Sequence, residues 1–134
     1  MAQVEDKLKW CLNKSNKGLV KVEINPEKAN NHIKKAEHNL KATIFFSKNG
    51  FSDWAVNASF YSMYHCLLAI LAKHGYESLN QECTIALVYN LIDKKEIDME
   101  TKWLNLISKH GSDELENDSV IKLRGTSSME LILM

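Results

Sequence analysis

The sequence predicts an all-α protein, an up-and-down bundle of four to five helices joined by short loops. Three observations carry that expectation. One proline and five glycines in 134 residues leave few breaks, and the breaks fall where helices would end. Apolar residues recur at spacings of three and four over most of the chain, the period of one helix face. No window alternates apolar with polar residues or collects β-branched residues between turn signals, so no sheet is expected. The length suits one domain around one core, which we place at residues 1–124, followed by a short tail at 125–134.

Each helix has its own signals. Val4 to Leu12 is a short amphipathic stretch with Leu8 and Leu12 four apart. Asn25-Pro26-Glu27 then supplies a cap residue, a proline at the first helical position and an acid in the first turn. Ala29, Ile33, Ala36, Leu40 and Ile44 trace one face of a helix that Asn49-Gly50 stops. Ser52 or Asp53 caps the next helix, which runs to Lys73-His74 and ends at Gly75. Ser78-x-x-Gln81 has the form of a capping box ahead of Ile85, Leu87, Val88, Leu91 and Ile92. Asp98 caps a helix carrying Trp103, Leu104 and Ile107 that ends at Gly111, and Asp113 to Arg124 forms the last. Beyond Arg124 a polar break, Gly125-Thr126-Ser127-Ser128, leads to an apolar end, Met129 to Met134, which docks on the bundle or is covered by a partner.

Composition excludes several function classes. Lys plus Arg equal Asp plus Glu at 17 each, so no net field draws polyanions from a distance, and any RNA contact has to be local. Sixteen of those cations are lysines. Arg124 is the single arginine and hence the one candidate for bidentate phosphate clamping. Cys11, Cys66 and Cys83 form no C-x-x-C pair and lack histidines at zinc spacing, so buried reduced thiols in a cytoplasmic protein are expected. His32 and His38, six apart, do not share a helix face; no metal and no cofactor is expected. The amino terminus, with Glu5, Asp6 and Lys7, lacks the apolar stretch of a signal peptide. Trp54 to Ala72 approaches the length of a membrane span, yet its polar residues crowd into its first twelve positions, and it reads as a core helix with no membrane involved.

That same run holds the residue most indicative of function. Only Asn57, Ser59, Ser62 and His65 interrupt its apolar and aromatic residues, so a titratable imidazole has been set where solvation is poor. Trp54, Ala58, Tyr61, His65, Leu68 and Ala72 form one stripe; Val56, Phe60, Met63 and Leu67 form a second; Ala55, Ser59, Ser62, Cys66 and Ala69 form a third of small residues that lets another helix approach closely. Burial on more than one side makes this the central helix, and a single bundle need not cover all of it. His65 is then either an acid or base in a cleft, or a core histidine satisfied by a carbonyl or a tyrosine.

Phe60-Tyr61-Ser62-Met63-Tyr64-His65 resembles the end of the signature helix of the HEPN family, whose pattern is Arg-x-Tyr-Tyr-x-Met-Phe-His. The helix after Pro26 and the stretch from Cys66 to Ser78 look like the family's flanking segments. The resemblance implies an all-α homodimer joined through its central helices and paired with a small nucleotidyltransferase in a toxin–antitoxin type system. It further implies that arginine and histidine from two subunits meet in a cleft that binds nucleotide or cuts RNA without metal. Here Ala58 takes the arginine's place. Such cleavage needs a base for the 2′-hydroxyl, an acid for the leaving oxygen and a donor set for the charge on phosphorus. His65 fits the first two roles; Asn57, Tyr61, Ser62 and Tyr64 offer hydrogen bonds, and Arg124 is the candidate cation from the last helix. The leading expectation is therefore a homodimeric binding and assembly module with a degenerate ribonuclease motif. The alternatives are a metal-independent endoribonuclease toxin using His65, and a purely structural helical dimer.

Overall fold

A computed structural model describes residues 2–114. Its elements in chain order are α1 (Ala2–Leu12), β1 (Leu19–Lys21), α2 (Pro26–Lys48), α3 (Ser52–Lys73), β2 (Tyr76–Ser78), α4 (Gln81–Asp93) and α5 (Thr101–Glu114). The architecture is an all-α bundle of five helices among the described residues, as the periodicity predicts. The segment 115–124 with Arg124, and the tail 125–134, lie outside the described residues.

The bundle is organised around the antiparallel pair α2 and α3, the most extensive helix contact in the fold. Asn25 caps α2 by accepting the Lys28 backbone N–H at 3.0 Å, and Pro26 sits where its missing donor is not needed. Gly50, at φ +80°, turns the chain into α3. Neither Ser52 nor Asp53 caps α3: Phe51 holds that position without a side-chain bond. Ala29, Ala69 and Ala72 pack together with Ile33 alongside, so the two helices touch nearly backbone to backbone. The other side of α3, with Phe60, Leu67 and Leu71, enters the main core with Leu87, Val88 and Leu91 of α4 and Leu104 and Ile107 of α5. By length and composition α3 is apolar enough to cross a membrane; here it is the central helix, and 56% of its most apolar window is buried in the fold.

Three further sequence expectations are corrected. First, a two-stranded antiparallel sheet exists, with Leu19 opposite Ser78 and Lys21 opposite Tyr76; three residues per strand are too few to show alternation. Gly75 permits it, because a Cβ there would meet the Val22 carbonyl at 2.8 Å, and its φ is +81°. Second, α4 is capped by Asn80, which accepts from the Cys83 N–H, whereas Ser78 bonds the backbone of Asn80; α5 likewise continues past Gly111 to Glu114. Third, the thiols are not all reduced and buried: Cys11 and Cys83 form a disulfide tying α1 to α4, and Cys66 is free and exposed. Gly18 lies against that bridge, since a Cβ would come 2.6 Å from Cys83 Sγ and 2.9 Å from Cys11 Cα.

The 72-residue separation of the bridged cysteines implies about 4 kcal/mol of denatured-state restriction by the chain-entropy relation. Reduction, or the double change Cys11→Ala with Cys83→Ala, is expected to lower unfolding free energy by roughly 2–4 kcal/mol in a urea titration. Gly18→Ala is expected to destabilise the oxidised protein by about 1–3 kcal/mol through overpacking, read as a shift in the same midpoint.

Candidate functional site

One sector of α3 is only partly covered by the rest of the described chain. Trp54, Asn57, Tyr61, His65 and Leu68 follow one another at three- and four-residue steps. Trp54 is 59% and Tyr61 54% exposed, while Asn57, His65 and Leu68 are half-buried. Large aromatic side chains in contact with water, Trp54 in the first turn and Tyr61 at the middle of the domain's central helix, mark a surface built to be covered. The imidazole is therefore not sealed in the core.

α2 supplies a second histidine to the edge of this face. His32 lies on the stripe Lys28, His32, Lys35, and its Nδ1 is 3.0 Å from Nδ1 of His65. The ring centroids are 5.3 Å apart, which equals the nitrogen separation plus one ring radius at each end. The two nitrogens thus point straight at each other, and the rings, inclined by 29°, meet edge to edge rather than face to face. Two lone pairs cannot face at hydrogen-bond distance, so one Nδ1 carries a hydrogen and the other accepts it. A metal ion, which sits about 2.0–2.1 Å from each imidazole nitrogen, has no place on a straight line this short. Among the described residues no group of three or more His, Cys, Asp or Glu side chains is placed to hold one.

Burial holds the His65 imidazole below its ordinary value of 6.5, and the Lys35 ammonium adds to the effect. His32 is lowered first by burial, then by His65, Lys28 and Lys35. Lys28 is engaged with Glu77 of β2 at 2.6 Å, which anchors its ammonium beside His32. The site is thus a neutral imidazole pair in an electropositive setting. A cavity of about 220 Å³ adjoins it, lined by Lys28, His32, Leu68, Tyr76 and Ser78 among others. A larger cavity, about 640 Å³ between α1, α4 and α5, is lined by no histidine among the described residues.

The residues proposed from sequence separate into distinct places. His65, Tyr61 and Asn57 share the open sector. Ser62 is buried, its Oγ donating to the Ala36 carbonyl at 2.7 Å, so it joins α2 to α3 and does not face the groove. Tyr64 is turned inward: its ring stacks on Phe60, and its hydroxyl pairs with Thr84 Oγ1 at 3.0 Å. Ala58 is buried, 9% exposed. Arg124 lies outside the described residues. Sequence reasoning missed His32, weighing it only against His38; counting back along α2 from the Asn49-Gly50 turn would have placed it within one helical turn of His65.

These features define a class: an all-α bundle with a histidine on the open face of its central hairpin. The HEPN domain family model matches residues 29–120, more than half of the chain, and the chain belongs to the HEPN family. Comparison with curated proteins and with solved structures gave no match.

Both imidazoles bind a proton less readily in the folded chain than in the unfolded one, so their contribution to stability is fully present above about pH 6.5 and declines as pH falls below it. Thermal melts are expected to show midpoint falling between pH 7.5 and 5.5, and the fall is expected to be smaller in the double variant His32→Gln with His65→Gln. An unchanged slope in that variant would contradict the pairing.

Proposed function

We propose that this HEPN protein is a homodimeric binding and assembly module of a toxin–antitoxin type system, holding RNA or a nucleotide in the His65 groove and pairing with a small nucleotidyltransferase. The observation that carries the reading is the half-exposed imidazole pair on an aromatic face of α3, with a buried alanine where the motif arginine would stand. Water-exposed Trp54 and Tyr61 provide the apolar surface that a second subunit or a stacked base would cover. Lys28 and Lys35 bring positive charge to the groove without a net charge on the chain. Such a module works in the cytoplasm, where its RNA and its partner are.

A second reading, metal-independent RNA cleavage, is favoured by the histidine pair itself. In that reaction the 2′-oxygen bonds to phosphorus as the bond to the 5′-oxygen breaks; a neutral imidazole nitrogen takes the 2′-hydroxyl proton, and a second imidazole of the dimer cleft, entering as the imidazolium, gives its proton to the leaving oxygen. Without an arginine the charge on phosphorus falls to lysine and neutral donors, which disfavours rapid turnover.

Light scattering of the full chain is expected to give the mass of a dimer. Fluorescence anisotropy with a labelled single-stranded RNA is expected to show saturable binding, weakened at least tenfold by His65→Ala and by Lys35→Ala. Cleavage of that RNA in EDTA, lost on His65→Ala, would move the conclusion to the ribonuclease. RNA binding that is unchanged in His65→Leu, together with a higher melting temperature, would sink both readings in favour of a structural histidine.

A further inference from the structure

We infer that Cys11 and Cys83 form a reversible oxidation site: their bridge fastens residues 2–21 as a strap over α4 and β2, and its reduction by a dithiol loosens that strap. The consequence for RNA affinity rests on the proposed function; the strap itself stands on the packing of α1.

Helix α1 is held to the bundle along a narrow line. It packs on α4 and β1, and of its described side chains Leu8 and Cys11 are the two that are buried. Its other flank borders the cavity of about 640 Å³, which is lined by Gln3, Val4 and Lys7 from α1 and by Ile85 and Tyr89 from α4. The ion pair of Lys7 with Glu82, at 2.8 Å, lies in solvent and contributes little. An 11-residue helix does not persist alone in water, so the covalent bond is the main restraint on α1. The facing side is fixed by other means: Asn80 accepts the Cys83 N–H, and Thr84 bonds Ser78 at 2.6 Å and Tyr64 at 3.0 Å. When the bridge opens, α4 therefore stays and α1 moves. The strap continues into β1, whose three-residue ladder with β2 is too short to be stable by itself. From there the path to the histidines is short: Glu77, opposite Val20 of β1, holds Lys28 at 2.6 Å, and Lys28 lines the same cavity as His32. Loosening β1 frees Glu77, and Lys28 changes from a paired cation to one open to phosphate.

Both bridged cysteines are fully buried, and Gly18 closes over Cys83 Sγ, so exchange begins when α1 lifts. A dithiol thiolate then attacks one sulfur, and its second thiol resolves the mixed disulfide. The Cys11–Cys83 bond breaks, each cysteine gains an electron and a proton, and the dithiol ends as a disulfide. In the cytoplasmic setting of the proposed function, where dithiols keep cysteines reduced, a bridge of this kind is made and broken rather than permanent.

The test compares the full chain in its disulfide form with the same chain after dithiothreitol, without denaturant. Alkylation and mass spectrometry are expected to count one free thiol before reduction, Cys66, and three after it. Amide exchange in α1 is expected to be about tenfold or more faster in the reduced form, with β1 and β2 following, while α2 and α3 keep their protection. Cys11→Ser is expected to exchange like the reduced form whether or not dithiothreitol is present. Fluorescence anisotropy with single-stranded RNA is expected to show binding about threefold tighter in the reduced form, and Glu77→Gln is expected to bring the oxidised form to the same affinity. A bridge that yields to dithiothreitol only in denaturant, exchange in α1 that ignores reduction, or loss of protection throughout the bundle overturns the inference. Strap loosening with equal RNA affinity in the two forms, or with a gain that Glu77→Gln does not reproduce, overturns the link to Lys28 and upholds the oxidation site. Loosening with no RNA binding in either form removes the proposed function and likewise upholds the oxidation site.

Discussion

The close approach of α2 to α3 is the constraint on which the rest depends. It exists because the facing positions are small: Ala29, Ala69 and Ala72 in one cluster, and Ser59 and Ser62 buried further along. Ser62 strengthens it by donating to the Ala36 carbonyl, a bond available only when the second helix is near enough to present its backbone. With leucines at these positions the helices would separate toward the upper end of the ordinary 8–10 Å interaxial range, and two imidazoles based on different helices would not reach each other. The histidine pair is thus a product of alanine and serine packing one or two turns away.

This geometry also explains why the face beyond the pair is open. Helix α3 spends its small stripe on α2 and its bulky stripe on the core of α4 and α5, which leaves Trp54 and Tyr61 more than half exposed at the edge of the α2 contact. A helix rich in apolar residues over most of its circumference can be fully covered only inside a larger assembly. Proton chemistry follows from the same partial burial: the two rings are desolvated enough to favour neutrality, yet exposed enough to meet a ligand.

Much of this was legible in the sequence because the strongest signals were local. The caps and stops at Asn25-Pro26, Asn49-Gly50 and Gly75 set the bounds of α2 and α3, and helical spacing set their faces. What was not legible depended on pairing across distance. Leu19 to Lys21 carries no strand period in three residues, and only the turn at Gly75 brings Tyr76 to Ser78 beside it. Cys11 and Cys83 are 72 positions apart, and odd cysteine arithmetic with no motif gives no reason to join them. His32 was hidden for the same reason: within α2 it has no polar neighbour on its face other than lysines, and its meaning appears only across the hairpin.

Ala58 lies two helical turns before His65 and is buried. An arginine two turns from His65 would place a permanent charge in the groove and pull negative charge toward it. Here the nearest fixed charges belong to Lys28 and Lys35 on α2, one of them already held by Glu77, and the imidazoles next to them are held neutral. The helix surface packs tightly at position 58, 9% exposed, and the central polar group of the groove is a hydrogen-bonded pair of rings. Such a pair discriminates by donor and acceptor pattern, while a guanidinium attracts any phosphate.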